Sequence, residues 1–472
     1  MADSRPNIIF IMSDDHAAAA ISAYGSRITR TPNIDRLASG EGGMRFENCF
    51  VTNSICTPSR AAILTGTYNH VNRVTTLHTH LDNRLPNVAK RLRTAGYQTA
   101  MVGKWHLGEG PAHEPTGFDY WKVLPGQGEY HDPVFHTADG VVREQGYVTD
   151  IITEDSIGFL DRRDHDRPFF LMCHHKAPHR PWDPKPEYRT RHLERPPTPD
   201  TFDDDYANRA RAAAAAKMRI AEDLTYDDLD LVQLPESPGE RYLDGPHRKI
   251  PHPPDPAAAG LRLRDRGTGT VVMYTSDQGF FLGEHGWFDK RFIYEESLRM
   301  PFLVRTPAAV LDQPRGAAEG GGAGGGAVNT SMVCNVDFAP TFLELAGLPI
   351  PSYMQGRSIV PLLQGRTPAD WPQEVYHRYW MNQDDAHNAY AHYGIRTQRY
   401  KLIYWYNDDC GEPGAKPGTD PPEWELFDLQ RDPGELHNRY NDPAYAEVVA
   451  EMTGRLDRKM ADVGDVPLHD SL

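Results

Sequence analysis

The run Cys56-Thr57-Pro58-Ser59-Arg60, continued by Ala61-Ala62-Ile63-Leu64-Thr65-Gly66, puts a thiol and a guanidinium at the start of one helix. Pro58 suits a first helical turn, and the good helix formers after it carry the helix on. Cys56 is therefore placed just before a helix N-terminus, where unpaired backbone N–H groups and the helix dipole favour a bound anion. Arg60 adds a fixed cation within the first turn. Two polar clusters follow short apolar runs, Asp14-Asp15 early in the chain and Asp277-Gln278 late in it. An Asp pair alone is commonly a helix cap or a turn. Two such clusters at the ends of core strands, both beside an anion-binding helix start, make that reading hard to keep.

The elements that must position these groups show in the hydropathy pattern. Asn7–Met12 leads into Ser13-Asp14-Asp15-His16, and Gln98–Val102 into Gly103-Lys104-Trp105-His106. Pro168–Met172 leads into Cys173-His174-His175, and Thr270–Thr275 into Ser276-Asp277-Gln278-Gly279. Continuous apolar runs bounded by turn residues predict buried parallel strands. Helices are expected at Asn33–Ser39, Pro58–Leu64, Pro86–Ala95, Asp150–Arg162 and the Ala-rich Tyr206–Leu224. This alternation predicts an α/β fold, a large mixed and mostly parallel sheet flanked by helices. Ligands collect at the carboxyl ends of such strands, where the clusters sit.

Further on, Val328–Leu348 reads as a helix ending at Gly347, followed by a Pro-rich passage through Pro372. Strands are expected at Tyr390–Ile395, Tyr400–Tyr406 and Trp424–Asp428, with a last helix at Ala444–Met460. The pattern predicts a large domain over 1–370 and a smaller α+β domain on an antiparallel sheet over 371–472. Pro251–Gly260 and the Gly/Ala run Gly316–Ala327 read as linkers or surface loops.

Length and charge bound the rest. At roughly 150 residues per domain, 472 residues allow about three domains, or two if one is a large α/β unit. Fifty basic against 66 acidic residues leave a net charge of −16. So acidic a surface excludes general binding to nucleic acid or anionic membranes, and an anionic substrate needs a local cationic pocket. Cys49, Cys56, Cys173, Cys334 and Cys410 are odd in number and scattered without a CxxC pair, which argues against a disulfide framework or a zinc-thiolate site. Apart from Cys56 they read as packing residues. Met1–Pro6 has no basic leader segment and Ile8–Met12 is too short for a signal or membrane span, so a cytoplasmic protein is expected.

The string from Cys56 to Gly66 resembles the signature of the formylglycine-dependent (type I) sulfatases of the alkaline phosphatase superfamily. In that family the Cys of C-x-P-S-R is oxidised to formylglycine by a separate generating enzyme, and the aldehyde hydrate is the nucleophile. The resemblance implies metal ligands at Asp14, Asp15, Cys56, Asp277 and Gln278, the last standing where Asn or His is frequent. Oxygen donors of this kind suit one hard divalent cation, Ca²⁺ first, with Mg²⁺ or Mn²⁺ as alternatives. Gly103-Lys104-Trp105-His106-Leu107-Gly108, Pro178-His179-Arg180-Pro181 and Asp289-Lys290-Arg291 match further family strings. They imply catalytic roles for Lys104, His106, His179 and Lys290 beside Cys56, Arg60 and Asp277. His179, assisted by Lys290, would protonate the leaving oxygen. His106 would remove a proton from the second hydroxyl of the hydrate to expel sulfate. His174 and His175 have no such support and read as structural.

Ser276–Pro301, together with Tyr393-Gly394 and Trp424–Asp428, resembles bacterial carbohydrate sulfatases acting on 6-O-sulfated N-acetylglucosamine. The implied substrate is the 6-O-sulfate of a hexosamine or a related sugar. Small alkyl, choline or aryl sulfates are one alternative, and phosphonate or phosphate monoesters on the same fold another. A sulfate-ester-binding protein without catalysis is a further reading, distinguished by an unmodified Cys56. Tyr376–Tyr393, rich in aromatic residues and His, lines the leaving-group pocket or packs the small domain on the large one. Homo-oligomerisation stays open.

Overall fold

The computed structural model describes residues 5–188, 196–225, 227–229, 269–310 and 326–470. Its first eight strands are β1 (Asn7–Ser13), β2 (Gly43–Phe50), β3 (Gln98–Lys104), β4 (Tyr120–Leu124), β5 (Val134–Thr137), β6 (Gly140–Arg143), β7 (Phe169–His174) and β8 (Thr270–Ser276). There follow β9 (Phe281–Leu282), β10 (Phe288–Asp289), β11 (Arg299–Arg305), β12 (Ala327–Asn329) and β13 (Val333–Cys334), then β14 (Glu374–Tyr379), β15 (His392–Thr397), β16 (Tyr400–Trp405) and β17 (Glu423–Asp428). Eleven of them form one sheet in the order β12-β2-β11-β8-β1-β7-β3-β4-β5-β6, with β13 also on β2. The run from β8 to β4 is parallel, and β11 joins antiparallel to β8 and β2.

The four predicted apolar runs are the centre of this sheet, and their burial explains why they are apolar throughout. Ile8, Phe10, Met12, Phe170, Met172, Val271 and Met273 enter one core, while Ile9, Ile11, Leu171, Cys173, Val272 and Tyr274 enter the core on the opposite face. Alternate residues of a strand point to opposite faces, so a strand covered on both sides has no polar position to spare. Helices Cys56–Thr65, Val88–Thr94 and Phe338–Leu345 supply the first core, and Pro32–Ala38 and Val148–Arg162 the second.

Register then brings the clusters together. Ser13 pairs with Ser276, so Asp14-Asp15 and Asp277-Gln278 leave neighbouring strands side by side. Met12 pairs with His174 and Gly103 with His174, so Lys104 leaves β3 at the same edge.

A four-stranded antiparallel sheet, β14-β15-β16-β17, carries the amphipathic helix Ala446–Val463, which buries Met452, Leu456, Met460 and Val463 against it. No helix among the described residues is long and apolar enough to cross a membrane.

Three expectations are corrected. Tyr206–Leu224 is helical only at Arg211–Ala215, because the neighbouring amides are used elsewhere. Ala210 N–H donates to Glu425 Oε1, Lys217 N–H to His387 O and Ile220 N–H to Gly286 O. Val328–Leu348 begins as strands β12 and β13 on β2. Its helix starts only at Phe338, after Asp337 accepts the Cys334 N–H, and the turn at Gly347 (φ +67°) stands as expected. The strand expected at Tyr390–Ile395 runs two residues later, and β14, unanticipated, overlaps the start of the Tyr376–Tyr393 stretch. Pro251–Gly260 and residues 316–325 lie outside the described residues, and Ala327 opens β12.

Candidate active site

The helix Cys56–Thr65 starts from an extended Ile55 with no side-chain cap, so its first amides are not taken by a capping group. Every residue in it is buried, and Gly66 ends it in the left-handed region (φ +70°). Cys56 Sγ, an Asp14 carboxylate oxygen and a His179 ring nitrogen lie within 4.8 Å of one another. Burial pushes the Cys56 thiol up to about 11, with Lys290 and Lys104 opposing, so as a cysteine it is a neutral and poor nucleophile.

Three carboxylates and three cations alternate around this point. Arg60 donates to Asp277 Oδ2 from Nε at 3.1 Å and from a terminal nitrogen at 2.8 Å, and its other terminal nitrogen donates to Lys104 O at 2.8 Å. Lys104 Nζ donates to Asp14 Oδ2 and to Gln127 Oε1. Lys290 Nζ donates to Asp15 Oδ1 at 2.5 Å. All six are almost wholly inaccessible. Burial opposes ionisation of Asp14, but the charges of Lys104, Arg60 and Lys290 outweigh it and hold the group well below the usual carboxylate range. Burial with Asp14 alongside pushes Asp277 up to about 7, against the pull of Arg60, and burial likewise raises Asp15.

The donor set fits a hard cation. Asp14 Oδ1, Asp15 Oδ2 and Gln278 Oε1 are buried acceptors without a hydrogen-bond partner, and Asp14, Asp15 and Asp277 bring carboxylate oxygens within 4.8 Å of one another. Buried acceptors left in this way are costly unless a cation or water meets them.

The two histidines flank the thiol differently. His106 Nδ1 lies 3.3 Å from Thr57 Oγ1, and burial with Lys104 nearby keeps the ring neutral. His179 Nδ1 donates to Arg180 O at 2.5 Å, which leaves Nε2, 3.7 Å from Asp15 Oδ2, as the atom facing the site. Burial and the neighbouring lysines hold His179 neutral in the absence of an anion. Asp15 (φ +66°), His106 (φ +54°), Asp289 (φ +77°) and Arg291 (φ +98°) all occupy the left-handed backbone region. Such strain clusters where surrounding structure fixes a functional geometry.

All the residues anticipated from sequence meet here. His174 and His175 stay structural: His174 donates to Lys104 O at 3.3 Å, and both are buried and held neutral by burial. Sequence reasoning missed two groups. Asp289 beside Lys290 is contacted by Arg291, by Arg180 at 3.0 Å and by His387 at 3.6 Å, so Tyr376–Tyr393 reaches the site through His387. Lys176 is buried with its Nζ 4.6 Å from the Tyr130 ring centre and no hydrogen-bond partner, and burial pushes it down to about 8. Of the other cysteines, Cys49, Cys173 and Cys334 are buried as expected, whereas Cys410 is exposed on a polar loop; all five are free thiols.

The Sulfatase family matches residues 6–224, and the family described as N-sulphoglucosamine sulphohydrolase, C-terminal, matches 283–462. An N-acetylglucosamine-6-O-sulfatase of Bacteroides thetaiotaomicron is 38% identical across 98% of this chain and 87% of its own length. The chain belongs to the sulfatase family. An N-acetylglucosamine-6-sulfatase of Homo sapiens is 27% identical over 79% of this sulfatase and 67% of its own length. A solved complex with the substrate D-glucosamine-2-N,6-O-disulfate superposes with a TM-score of 0.82 at 37% identity over 98% of both chains. The phosphonate monoester hydrolase of Agrobacterium radiobacter, at 22% identity and a TM-score of 0.71 over 97% and 96% of the two chains, shares the fold.

Proposed function

We propose that this sulfatase hydrolyses the 6-O-sulfate of a hexosamine or a closely related sugar. The observation that carries the reading is the triple pairing of Asp14 with Lys104, Asp15 with Lys290 and Asp277 with Arg60 at an uncapped helix start, in a chain 38% identical to an N-acetylglucosamine-6-O-sulfatase. The polar cluster of Asp289, Arg291 and His387 next to Lys290 supports a sugar leaving group, since a few fixed polar side chains beside a site orient a hydroxyl-rich ligand.

Asp14, Asp15, Asp277 and Gln278 would hold one divalent cation, Ca²⁺ by its hard-oxygen donor set. The cation would neutralise charge on the sulfate oxygens and fix their orientation. Cys56 is the residue that a formylglycine-generating enzyme would convert, and the aldehyde hydrate supplies the attacking oxygen. The protein's own groups do the rest. Arg60 holds Asp277 and the end of β3 in one place. Lys104 and Lys290 direct positive charge at the nonbridging oxygens. Asp277 accepts the proton of the attacking hydroxyl, and His179 Nε2, which takes up a proton from solvent as the anionic ester enters, passes it to the departing alkoxide. Neutral His106 takes the proton from the hydrate's remaining hydroxyl.

The test compares sulfate release from glucosamine 6-O-sulfate, N-acetylglucosamine 6-O-sulfate, choline sulfate and an aryl sulfate, with a phosphonate ester of the same aryl leaving group alongside. Turnover of the hexosamine esters far above the others is expected. A phosphonate ester hydrolysed orders of magnitude faster than its sulfate counterpart would overturn the assignment. The mass of the Cys56 peptide from the native host, lowered on conversion of thiol to aldehyde, checks the nucleophile.

A further inference from the structure

The chemistry above leaves two buried histidines of the small sheet unused. His377 on β14 and His392 on β15 are wholly inaccessible, and their rings stack with centroids 5.4 Å apart. Each accepts a backbone N–H from a different active-site segment. The Ser54 N–H, two residues before Cys56, donates to His377 Nε2 at 3.1 Å. The Ile293 N–H, three residues after Lys290, donates to His392 Nε2 at 3.2 Å. A ring nitrogen accepts an N–H only without a proton of its own, so both rings are neutral with the proton on Nδ1. His392 Nδ1 donates to Tyr390 O at 2.8 Å and fixes that tautomer. Burial agrees with neutrality, holding His392 at about 3 and His377 well below its ordinary value.

The two segments have few alternatives. Between β2 and the helix at Cys56 the chain has no regular structure. Its amides go to Leu298 O from Val51, to Asn335 Oδ1 from Thr52, to His377 from Ser54 and to Asn53 O from Ile55, while Arg378 N–H returns a bond to Thr52 O at 3.0 Å. Around His392 the ring of Trp405 lies at 4.4 Å and that of Phe292 at 5.9 Å, so the imidazole cannot swing away.

We propose that His377 and His392 are positioning residues: the stacked pair ties the segment presenting Cys56 and the segment presenting Lys290 to one rigid sheet, and so sets the separation of the attacking group from the Lys290–Asp15 pair. The proposal rests on Cys56 and Lys290 belonging to the reacting centre. It gives the small domain a part in catalysis through two neutral acceptors, without contact to the substrate.

Steady-state hydrolysis of the wild-type enzyme's best sulfate ester by His377→Leu, His377→Gln, His392→Leu and His392→Gln tests it, with rates divided by the fraction of Cys56 converted. Gln can place an acceptor oxygen at the Nε2 position and Leu cannot. A displacement near 1 Å at a reacting centre costs on the order of 100-fold. Each Leu variant should therefore lose about 30-fold or more in kcat with KM within about threefold, and each Gln variant should recover most of the loss. If a Leu variant does not fold, Asn takes its place, since its shorter side chain puts the acceptor elsewhere; Asn slower than Gln at equal melting temperature supports the proposal. Folded Leu variants with wild-type kcat, or Gln falling as far as Leu or Asn, would overturn it. A wild-type enzyme that released no sulfate would instead sink the functional reading.

Discussion

Arg60→Lys keeps the charge and removes the fork. The guanidinium makes two N–H bonds to Asp277 Oδ2, at 3.1 and 2.8 Å, and a third to Lys104 O at 2.8 Å, while lying 3.8 Å from Asp14 Oδ1. An ammonium on a four-carbon stem can keep a bond to Asp277 or to Lys104 O, and cannot reproduce the planar three-point contact. Two bonds to or from charged groups are lost in a site closed to water, each worth about 1.5–3 kcal/mol, and the retained charge offsets part of this. A net cost of about 3 kcal/mol follows. For 472 residues at about 2.1 cal/mol/K each, the unfolding entropy is near 1 kcal/mol/K, so the melting temperature should fall by about 3 °C. Activity should fall much further. Asp277 loses its orientation at the candidate cation site and the end of β3 loses its anchor, so kcat/KM should drop by about 100-fold or more, equal to about 2.7 kcal/mol of transition-state stabilisation. Differential scanning fluorimetry and sulfate-release kinetics on protein of known Cys56 conversion measure both. Kinetics within threefold of wild type would refute the claim that the fork positions the site.

Gln278→Leu removes the unpartnered Oε1 and the bond from Nε2 to Asp15 while keeping the volume. Calorimetry should show weaker divalent-ion binding by about 10–100-fold with the fold intact, and unchanged affinity would remove Gln278 from the ligand set. Cys56→Ser supplies one hydroxyl in place of the two of an aldehyde hydrate, so at most one sulfate should be transferred per chain; repeated turnover in a quench-flow experiment contradicts the hydrate's role. Glu296 is pushed up to about 8 by burial with Glu284 and Glu435 beside it. A raised carboxyl stabilises the fold below its ordinary pKa, and that contribution is lost as pH rises through 8. Glu296→Gln should therefore melt above the wild type at pH 9 and level with it at pH 5, and parallel curves across that range would be inconsistent with the burial argument.

The parts of this molecule legible in sequence are those under one-sided constraints. β1, β3, β7 and β8 are buried on both faces, so their apolar runs cannot be mistaken for amphipathic helices, and the polar residues that interrupt them mark strand ends. The same logic located Asp14, Asp15, Lys104 and Asp277. It failed where composition and tertiary pairing disagree. Arg211–Ala216 has the alanines of a long helix, yet alanine is needed there because Ala212 and Ala213 pack close against the core, while carboxylates of β17 take the preceding amides. Asp289, Arg291, Lys176 and His377 were illegible for a different reason. Asp289 and Arg291 stand in a matched string only as neighbours of Lys290; Lys176 and His377 are ordinary polar residues in sequence, and only the folding of β10, the loop after β7 and β14 onto the same edge buries them near Cys56.

That edge also resolves the apparent mismatch between a chain of net charge −16 and an anionic substrate. The site is balanced pair by pair, Lys104 to Asp14, Lys290 to Asp15 and Arg60 to Asp277, three positive groups against three carboxylates that a cation would hold ionised. Salt bridges of this kind are poor stabilisers once desolvation is counted, so their retention points to a role other than stability. A divalent cation among the three carboxylates would turn a neutral cluster into one of net charge +2. It would also compete with the lysines for the same oxygens, leaving ammonium protons free to meet a sulfate. Attraction for the substrate is then confined to the interior and conditional on the ion. The acidic exterior repels polyanions elsewhere on the surface, and a buried neutral cluster does not recruit anions before the ion is in place.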